Sequence, residues 1–357
     1  MSRLRVLHLS PSWFGDESVR GGGERYPLEL ARAMVRLTPT RLVSFGPRAG
    51  TRTIDGFPIE IRRAWWHLRK RPHDQLGLGF IGAVWWADVV HCHQARTGLT
   101  ALATVAARAL GKRVFVTDHG GGGVNWVRRW RVGRWIEGQL AQSEFAARTL
   151  PYVGRRTEVI YAGVDEAKYA PGGPKEPGLV VFVGRLMPHK GVEHAIHALP
   201  PGARLAVYGR PYDAAYAAFL AREAAGRPVD FHANASDEAV VAALRAACAF
   251  VMPSVYDDHL GRHRDLPELV GLAPLEAMAC GTAAIVSQAG GLPEIVSPAA
   301  GVVVPPGDAE ALRVALQPLV ESVEVAQRRG RAAREHVLAR FTWSRVAWRC
   351  LEAYGGS

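Results

Sequence analysis

Cysteine is scarce in this sequence of 357 residues, and no two cysteines form a CxxC pair. A disulfide framework depends on more numerous and regularly spaced cysteines in a short secreted chain. Each cysteine here lies within an apolar stretch, which predicts reduced, small core residues of a cytoplasmic protein. The four are Cys92, Cys248, Cys280 and Cys350.

Long apolar runs are also missing. The N-terminal segment MSRLRVLHLSPSW lacks the apolar core of a secretory signal peptide and is predicted to form a first strand. The longest apolar stretch, residues 76–87, is glycine-rich and too short to span a bilayer. We therefore expect a cytoplasmic location, with peripheral contact to the inner face of the membrane as an open alternative.

Two well-known nucleotide signatures are absent. GxGxxG does not follow the first strand, where SPSWFGDESVRGGG stands instead, so a nicotinamide-dependent dehydrogenase would depend on the strand–helix pattern alone. The GxxxxGK[ST] spacing of a P-loop is missing as well.

Acidic residues are few in the first half of the chain. Residues 1–170 hold 26 Lys and Arg against 14 Asp and Glu, a net charge of +12, whereas residues 171–357 carry −1. Eight of the ten tryptophans also lie in the first half, notably in RRAWWHLRKR (62–71) and NWVRRWRVGRW (125–135). Such segments suit an anionic membrane surface or an acidic acceptor. A solvated basic face with some tryptophans in the core is the alternative. Nucleic acid is not expected, because no recognition motif accompanies the charge.

The rest of the chain alternates β-rich runs with helical stretches, which is typical of parallel α/β architecture. We predict two Rossmann-like, doubly wound domains facing across a cleft. Residues 1–170 form the acceptor-binding domain and residues 171–340 the nucleotide-sugar-binding domain. A Pro/Gly-rich stretch at 169–178 is the predicted linker. The helical segment within 341–357 is predicted to return to the first domain.

A basic loop is the strongest local signal. In LVVFVGRLMPHKGVEHAI (179–196), a buried strand ends at Gly184, a loop carries Arg185 and Lys190, and a helix follows. An arginine can fork onto phosphate oxygens, a lysine adds a point charge, and a helix N-terminus adds amides. Taken alone, the segment is equally typical of an ordinary exposed loop.

A pair of glutamates makes the phosphate interpretation specific. In PELVGLAPLEAMACG (267–281), Glu268 and Glu276 lie eight residues apart, separated by the turn Gly271-Leu272. Carboxylates accept hydrogen bonds from pairs of sugar hydroxyls. Two surface glutamates would be unremarkable in isolation, but this pair follows the basic loop by about eighty residues in a second α/β segment.

The chain resembles glycosyltransferase family 4, retaining enzymes of the GT-B fold, from residue 5 to about 354. The matching stretches are GGGERYPLELARAM (21–34), VVHCHQ (89–94), VTDHGGGG (116–123), AQSEFAARTL (141–150), VIYAGVDEAKYAP (159–171), FVGRLMPHKG (182–191), ASDEAVVAAL (235–244), PSVY (253–256), the glutamate segment and GGLPEIV (290–296).

This resemblance implies roles for particular residues. Arg185 and Lys190 would bind the diphosphate of a nucleotide-sugar, Glu268 the donor sugar, and Glu276 the ribose. His119 would face the donor sugar, while its role as a catalytic base is doubtful. The remaining predicted donor or nucleotide contacts are Gly22, Gly23, Gly184, Gly209, Arg210, Ala235, Gly271 and Leu272.

The implied reaction is metal-independent transfer of a hexose with retention, with no cofactor, because the nucleotide-sugar is itself a substrate. A UDP-sugar is favoured over GDP-mannose as donor. The acceptor would be a glycan, a lipid-linked molecule or another hydroxyl compound in cell-envelope or polysaccharide biosynthesis. Non-catalytic binding to a membrane or nucleic acid through the basic half is the second hypothesis, and the dehydrogenase is the third.

One departure from the family lies at the predicted donor site. Residues 257–267 lengthen the segment between Pro253-Ser254 and Glu268, and are expected to shape donor choice or to act as a lid. Asp257 and Asp258 within it are predicted to be solvated loop charges and not a metal site. His91 and His93 are expected to have hydrogen-bond partners at a strand end, and His8 to belong to the core.

Overall fold

The structure of the protein, a computed structural model, describes residues 4–12, 14, 21–67, 75–120, 124–150 and 154–355. Trp13, the basic residues 69–71 and the glycines 121–123 lie outside these ranges. The chain divides into two compact units. Unit 1 comprises Met1–Ala162 and Trp343–Ser357, and unit 2 comprises Gly163–Thr342.

Unit 1 is built on a mostly parallel sheet. Its strands are β1 (Val6–Leu9), β2 (Thr40–Gly46), β3 (Gly50–Ile54), β4 (Phe57–Arg63), β7 (Val89–His93), β8 (Arg113–Thr117), β9 (Gly138–Ala141) and β10 (Arg156–Val159). Within the described residues these eight strands follow the order β10-β9-β8-β7-β1-β2-β4-β3, and only β3 is antiparallel to its neighbour. Every residue of β1 and β7 is buried, as expected where helices cover both faces of a parallel sheet. A separate antiparallel pair consists of β5 (Trp66–His67) and β6 (Gln75–Leu76).

Helices cover this sheet, and the last of them is formed by the C-terminal segment of the chain. They are α1 (Gly22–Met34), α2 (Ile81–Trp86), α3 (Gly98–Ala109), α4 (Trp126–Arg129), α5 (Glu144–Thr149) and α12 (Trp343–Ala353). Thr97 and Ser143 cap α3 and α5, because each side-chain oxygen accepts a hydrogen bond from a backbone N–H of the first turn. Trp343 of α12 packs edge-on against Tyr26 of α1, with 5.0 Å between ring centroids. The predicted return of the C-terminal helix to the first domain is confirmed.

Unit 2 has a parallel sheet of its own. Its strands are β11 (Leu179–Val183), β12 (Arg204–Tyr208), β13 (Val229–His232), β14 (Ala249–Met252), β15 (Ala283–Ser287) and β16 (Gly301–Val304). Their order is β13-β12-β11-β14-β15-β16, and all neighbouring strands are parallel. The helices are α6 (Val192–His197), α7 (Ala214–Glu223), α8 (Asp237–Ala246), α9 (Leu272–Ala279), α10 (Ala309–Glu321) and α11 (Val323–Arg340).

Each sheet has one point at which the strand order reverses. In unit 1 it lies between β1 and β7, and in unit 2 between β11 and β14. In open α/β sheets, ligands bind beyond the carboxyl ends of the strands at such a point. The two-unit, Rossmann-like α/β class predicted from the sequence is confirmed, and these two positions are where candidate sites are expected.

Several elements differ from the sequence predictions. Strands β3, β5, β6 and β9 were not predicted. β5, β6 and β9 are short and contain no β-branched residue, and β3 is a short, mostly exposed edge strand. The sequence pattern of residues 308–328 predicts one helix, whereas α10 ends at Glu321 and Ser322 caps a second helix, α11. The side chain of Ser322 accepts from Val325 N, which restarts the helix there.

The Pro/Gly-rich stretch 169–178 is not a linker between the units, because it lies inside unit 2. Its backbone is attached to the last two residues of α8. Arg245 Nε donates to Ala170 O at 2.7 Å, and Glu176 N donates to Ala246 O at 2.7 Å. The chain passes from unit 1 to unit 2 between Ala162 and Gly163, a short way before the predicted boundary at residue 170.

Candidate active site

The basic loop and the first glutamate of unit 2 meet at its strand-order reversal. Lys190 follows β11, and Ser254 and Glu268 follow β14. Lys190 Nζ donates to Glu268 Oε1, and Ser254 Oγ donates to the same oxygen at 2.9 Å. Lys190 and Glu268 are both buried. Two predicted site residues, 78 positions apart in the chain, are therefore in direct contact.

The charge state of Glu268 follows from these contacts. Burial raises the pKa of this carboxyl, but the positive charge and hydrogen bond of Lys190, with a smaller contribution from the hydrogen bond of Ser254, lower it further than burial raises it. The net effect is a pKa below the usual glutamate value, so Glu268 is an ionised acceptor. Burial, followed by the charge of Lys190, lowers the pKa of His189 to about 3, so this neighbour is neutral.

Two glycines allow the backbone around Glu268 to adopt its conformation. Gly290 has φ +59°, and a Cβ there would lie 1.9 Å from Glu268 O, so only glycine fits. Gly291 N donates to that carbonyl at 3.1 Å. On the other side, Gly191 has φ +60°, and a Cβ would lie 2.3 Å from Pro253 O. The sequence segments around Lys190, Ser254 and Gly290 thus converge through close backbone approaches.

Arg185 differs from Lys190 in being exposed and not paired with either glutamate in an ion pair among the described residues. Its guanidinium lies over the ring of Tyr212, 5.4 Å from the centroid, a cation–π distance. Gly209 permits the adjacent backbones to approach, because a Cβ there would lie 1.9 Å from Gly184 O. Leu186 N in turn donates to Arg210 O at 3.0 Å, so both predicted glycines and Arg210 belong to the loop ends that hold Arg185.

Glu276 lies on α9, the helix that begins directly after Gly271. Gly271 has φ +84°, and a Cβ there would lie 2.8 Å from Leu292 Cδ2. Leu272 is the first residue of α9 and Glu276 is buried in its second turn. Ala235 is exposed after β13, directly before Ser236, whose hydroxyl caps α8. Ala235 therefore follows β13 closely, whereas Gly271, Leu272 and Glu276 follow β14 only after the inserted segment.

Within the inserted segment 257–267, Asp258 organises a hydrogen-bonded turn, while most of the other charged residues are exposed. Asp258 Oδ1 accepts from Leu260 N at 2.9 Å and Arg262 N at 3.1 Å, and its side chain is only 7% exposed. The prediction for Asp258 was therefore wrong, since its carboxylate organises the turn. Asp257 is largely exposed and pairs with His263 Nδ1 at 2.8 Å. Tyr256, at the base of the turn, accepts from Gly290 N at 3.0 Å through its hydroxyl, which ties the insertion to the glutamate site.

In unit 1, His119 follows β8 beside the start of α1. Gly22 is the first residue of that helix, and a Cβ at Gly23 would lie 3.4 Å from the Cβ of His119. Burial lowers the pKa of His119 to about 3, so its imidazole is neutral. A neutral imidazole hydrogen-bonds without taking up a proton, in agreement with the doubt about a catalytic base.

Three further histidines occupy the strand-order reversal of unit 1. His8 of β1 and His91 and His93 of β7 are buried, and the registers of β1 and β7 place His8 opposite His91. His91 Nε2 contacts Thr117 Oγ1 at 2.9 Å, and Tyr354 OH contacts His91 Nδ1 at 2.7 Å. The expectations that His91 and His93 have partners and that His8 belongs to the core are confirmed. No sequence pattern indicated that the three would lie together.

The tryptophans and arginines of the first half divide between surface and core. Trp85 is 71% and Trp65 55% exposed, whereas Trp86, Trp126 and Trp135 pack against the core of unit 1. Around α4, exposed Trp130 is flanked by exposed arginines, namely Arg128, Arg129, Arg131 and Arg134. Some tryptophans of the first half therefore belong to the core and others to a solvated basic face, and the membrane interpretation of the exposed ones stays a prediction. Among the described residues, no helix combines the length and apolar character needed to span a bilayer.

Comparison with known proteins agrees with this geometry. Residues 20–168 match the family model described as Glycosyltransferase Family 4, and residues 164–336 match the one described as Glycosyl transferases group 1. The two matches are consecutive and correspond closely to the two sheets. The chain belongs to glycosyltransferase family 4.

Individual relatives are similar over parts or all of the chain. Glycogen synthase from Mycobacterium tuberculosis is 33% identical over 207 residues, 55% of this chain and 47% of that protein, so the match spans about half its length. Alpha-maltose-1-phosphate synthase from Mycolicibacterium smegmatis is 28% identical over 320 residues, covering 75% of this chain and 79% of the relative. The solved structure of sucrose-phosphate synthase from Thermosynechococcus elongatus shares the fold, with a TM-score of 0.73, 21% identity, and coverage of 99% and 98%.

Proposed function

We propose that the protein is a retaining glycosyltransferase that moves a hexose from a nucleotide-diphosphate sugar to a hydroxyl acceptor. The observation that carries this proposal is the buried contact between Lys190 and Glu268 at the strand-order reversal of unit 2. A cation for the diphosphate and an ionised carboxylate for the sugar then lie at one ligand-binding position.

Lys190 and Arg185 are the proposed diphosphate contacts. Lys190 has three N–H donors and gives one to Glu268, which leaves donors for phosphate oxygens. Arg185 is exposed and its guanidinium lies over the ring of Tyr212, so it presents a planar fork to an incoming anion. Negative charge gathers on the departing diphosphate in the transition state, where two fixed cations stabilise it more than in the ground state.

Glu268 and Glu276 are the proposed hydroxyl acceptors, for the sugar and the ribose respectively. Because the pKa of Glu268 lies below the usual glutamate value, this side chain is ionised at neutral pH. It therefore accepts hydrogen bonds and does not donate them. Gly184, Gly209, Arg210, Ala235, Gly271 and Leu272 would contribute backbone contacts around the nucleotide. In unit 1, Gly22, Gly23 and His119 are proposed to contact the donor.

The proposed step is a front-face substitution. The bond from the anomeric carbon to the β-phosphate oxygen breaks, and a bond from that carbon to the acceptor oxygen forms on the same face. The acceptor proton passes to the leaving phosphate. The step consumes no cofactor, and Arg185 and Lys190 provide the positive charge proposed in place of a metal. The favoured donor is a UDP-sugar and the second is GDP-mannose. The acceptor is a glycan or lipid-linked molecule of cell-envelope or polysaccharide biosynthesis.

Thermal shift with a nucleotide panel followed by product analysis tests the proposal. UDP, GDP and their sugars are compared with NAD, and a rise in melting temperature is expected for a nucleoside diphosphate and not for NAD. The anomeric configuration of the product is then read by NMR. Retention is expected. An inverted centre would overturn the retaining mechanism, and stabilisation by NAD alone would overturn the donor class.

A contact with an anionic membrane is a second proposal, supported by the exposed arginines around Trp130, which directly follows α4. It would place the protein in the cytoplasm at the inner face of the membrane. Co-sedimentation with phosphatidylglycerol vesicles tests it. Trp130→Ala should weaken binding, whereas Trp348→Ala, which removes a more exposed indole on α12, should not. Equal binding by both variants would contradict this surface.

A further inference from the structure

We propose that His8, His93 and Met34 are positioning residues that fix which ring nitrogen of His119 carries the proton. The arrangement of these side chains is confined to unit 1 and is measurable without substrate. Only its consequence for catalysis rests on the proposed function.

A continuous chain of contacts connects the four side chains. His8 Nε2 lies 3.4 Å from Met34 Sδ, and His8 Nδ1 lies 3.1 Å from His93 Nε2. His93 Nδ1 lies 3.3 Å from His119 Nε2, and His119 Nδ1 contacts Gln142 Nε2. Each imidazole thus uses both ring nitrogens. The rings of His93 and His119 are nearly parallel, with 11° between their planes.

The sulfur at one end sets the direction of the whole chain. A neutral imidazole has one N–H donor and one acceptor nitrogen, and a thioether can only accept. His8 must therefore donate from Nε2 to Met34, which makes its Nδ1 an acceptor. His93 then donates from Nε2 to His8.

The same logic continues to His119. With Nε2 of His93 protonated, its Nδ1 accepts from His119 Nε2–H, and His119 Nδ1 accepts from the amide of Gln142. Gln142 Nε2 also lies 3.5 Å from Asp118 O. Because a carbonyl oxygen only accepts hydrogen bonds, this contact requires the amide nitrogen of Gln142, and not its amide oxygen, on this side. The reverse direction would leave two lone pairs, on His8 Nε2 and Met34 Sδ, facing each other.

Burial keeps every ring neutral, as the chain requires. His8 and His93 are 0% and 1% exposed, and a protonated ring would place an N–H against another N–H. Burial lowers the pKa of His8 to about 3 and lowers the pKa of His93 well below its ordinary value. Tyr26 packs against His119, with 4.9 Å between centroids, and limits rotation of its ring.

For the proposed reaction, this assignment determines which hydrogen bonds His119 can form with a substrate. His119 commits its only N–H to His93, so a substrate hydroxyl that replaces Gln142 must donate to Nδ1. His119 would act as an acceptor for a sugar hydroxyl and not as a proton donor to the leaving group.

A metal site is the competing interpretation of the cluster. His8, His91 and His93 can offer ligand atoms within 4.8 Å of one another. A metal ligand must present a lone pair that is not already engaged. Here both nitrogens of His91 contact Thr117 and Tyr354, and both nitrogens of His8 and His93 belong to the chain described above. The contacts therefore favour the hydrogen-bonded chain.

Nitrogen NMR of the protein labelled with ¹⁵N-histidine tests the assignment, with His119→Gln identifying the signal of His119. We expect His119 protonated at Nε2 alone. Gln142→Glu places an obligatory acceptor at Nδ1 and should move the proton of His119 to Nδ1. Met34→Leu removes the terminal acceptor and should give a mixture of both forms, whereas Met252→Leu, a buried methionine of unit 2, should leave the signal unchanged.

Protonation of His119 at Nδ1 in the unsubstituted protein would overturn the proposal. So would Zn²⁺-induced shifts of the His8, His91 and His93 signals, which would support a metal site. Where transfer is detected, Met34→Leu should lower kcat about threefold at unchanged melting temperature, and Met252→Leu should not. Absence of any transfer by the unsubstituted protein would count against the proposed function and leave the NMR result to decide the present inference.

Discussion

The buried histidines should make unit 1 sensitive to mild acid. His8, His91 and His93 are at most 1% exposed, and burial lowers the pKa of His8 to about 3 and those of the other two well below 6.5. The unfolded chain takes up protons as pH falls through about 6.5, whereas the folded unit does not. With respect to these histidines, the free energy of unfolding of unit 1 is therefore at its full value above pH 6.5 and decreases as pH falls toward 3.

The magnitude follows from linkage. Between pH 7.5 and 5.5, each histidine that stays neutral in the folded unit costs between about 1 and 2 kcal/mol, or about 5 kcal/mol for these three together with His119, whose pKa burial also lowers to about 3. Carboxyl groups titrate mostly below this window, so they contribute little to the difference. A loss of that size is a large part of the free energy of unfolding of an ordinary domain.

Tryptophan fluorescence provides a selective assay. All ten tryptophans lie in the chain segments of unit 1, so fluorescence-detected urea unfolding reports on that unit alone. We expect its free energy of unfolding to fall by about 5 kcal/mol between pH 7.5 and 5.5. His8→Gln should reduce the pH difference by about a quarter, and His232→Gln, an exposed change in unit 2, should not alter it. Equal stability at the two pH values would refute the assignment of buried neutral rings.

Two further outcomes concern unit 2. Gly290→Ala should destabilise it by more than about 2 kcal/mol in circular-dichroism unfolding, because the new Cβ would collide with Glu268 O as well as strain a φ of +59°. Gly226→Ala has a similar φ of +72° and open space around the Cβ, so it should cost about 1 kcal/mol; equal losses would contradict the collision. Asp258→Ala should speed tryptic cleavage after Arg262 about tenfold, because one carboxylate holds two backbone amides and that arginine. Asp257→Ala removes only an exposed pair and should change the rate little, and the opposite ranking would contradict the account of the insertion.

The α/β class could be predicted because buried parallel strands are continuous apolar runs. Lys190 and Glu268 could be assigned to one candidate site, and both follow strands of one sheet. It missed β9, whose four residues GQLA include glycine and glutamine. It placed a linker at 169–178, because composition does not reveal that Arg245 attaches this stretch to unit 2.

The histidine chain was beyond prediction for a different reason. His8 and His93 are 85 residues apart, and their contact depends on β1 lying beside β7 in one particular register. The role of Asp258 was missed because an Asp-Asp pair in a polar loop is equally typical of solvent exposure. Only the positions of Leu260 N and Arg262 N identify the carboxylate as the organiser of the turn.

Isothermal titration of UDP and GDP tests most directly the central claim that Lys190 binds a nucleoside diphosphate. Lys190→Met removes a charge-assisted hydrogen bond to phosphate and should weaken binding by about 10- to 100-fold. Lys168→Met is the matched control, because Lys168 is also an ion-paired lysine of unit 2, 2.6 Å from Asp237, and has no proposed role in binding. The account predicts a large loss for Lys190→Met and none for Lys168→Met. Unchanged affinity in Lys190→Met would contradict it.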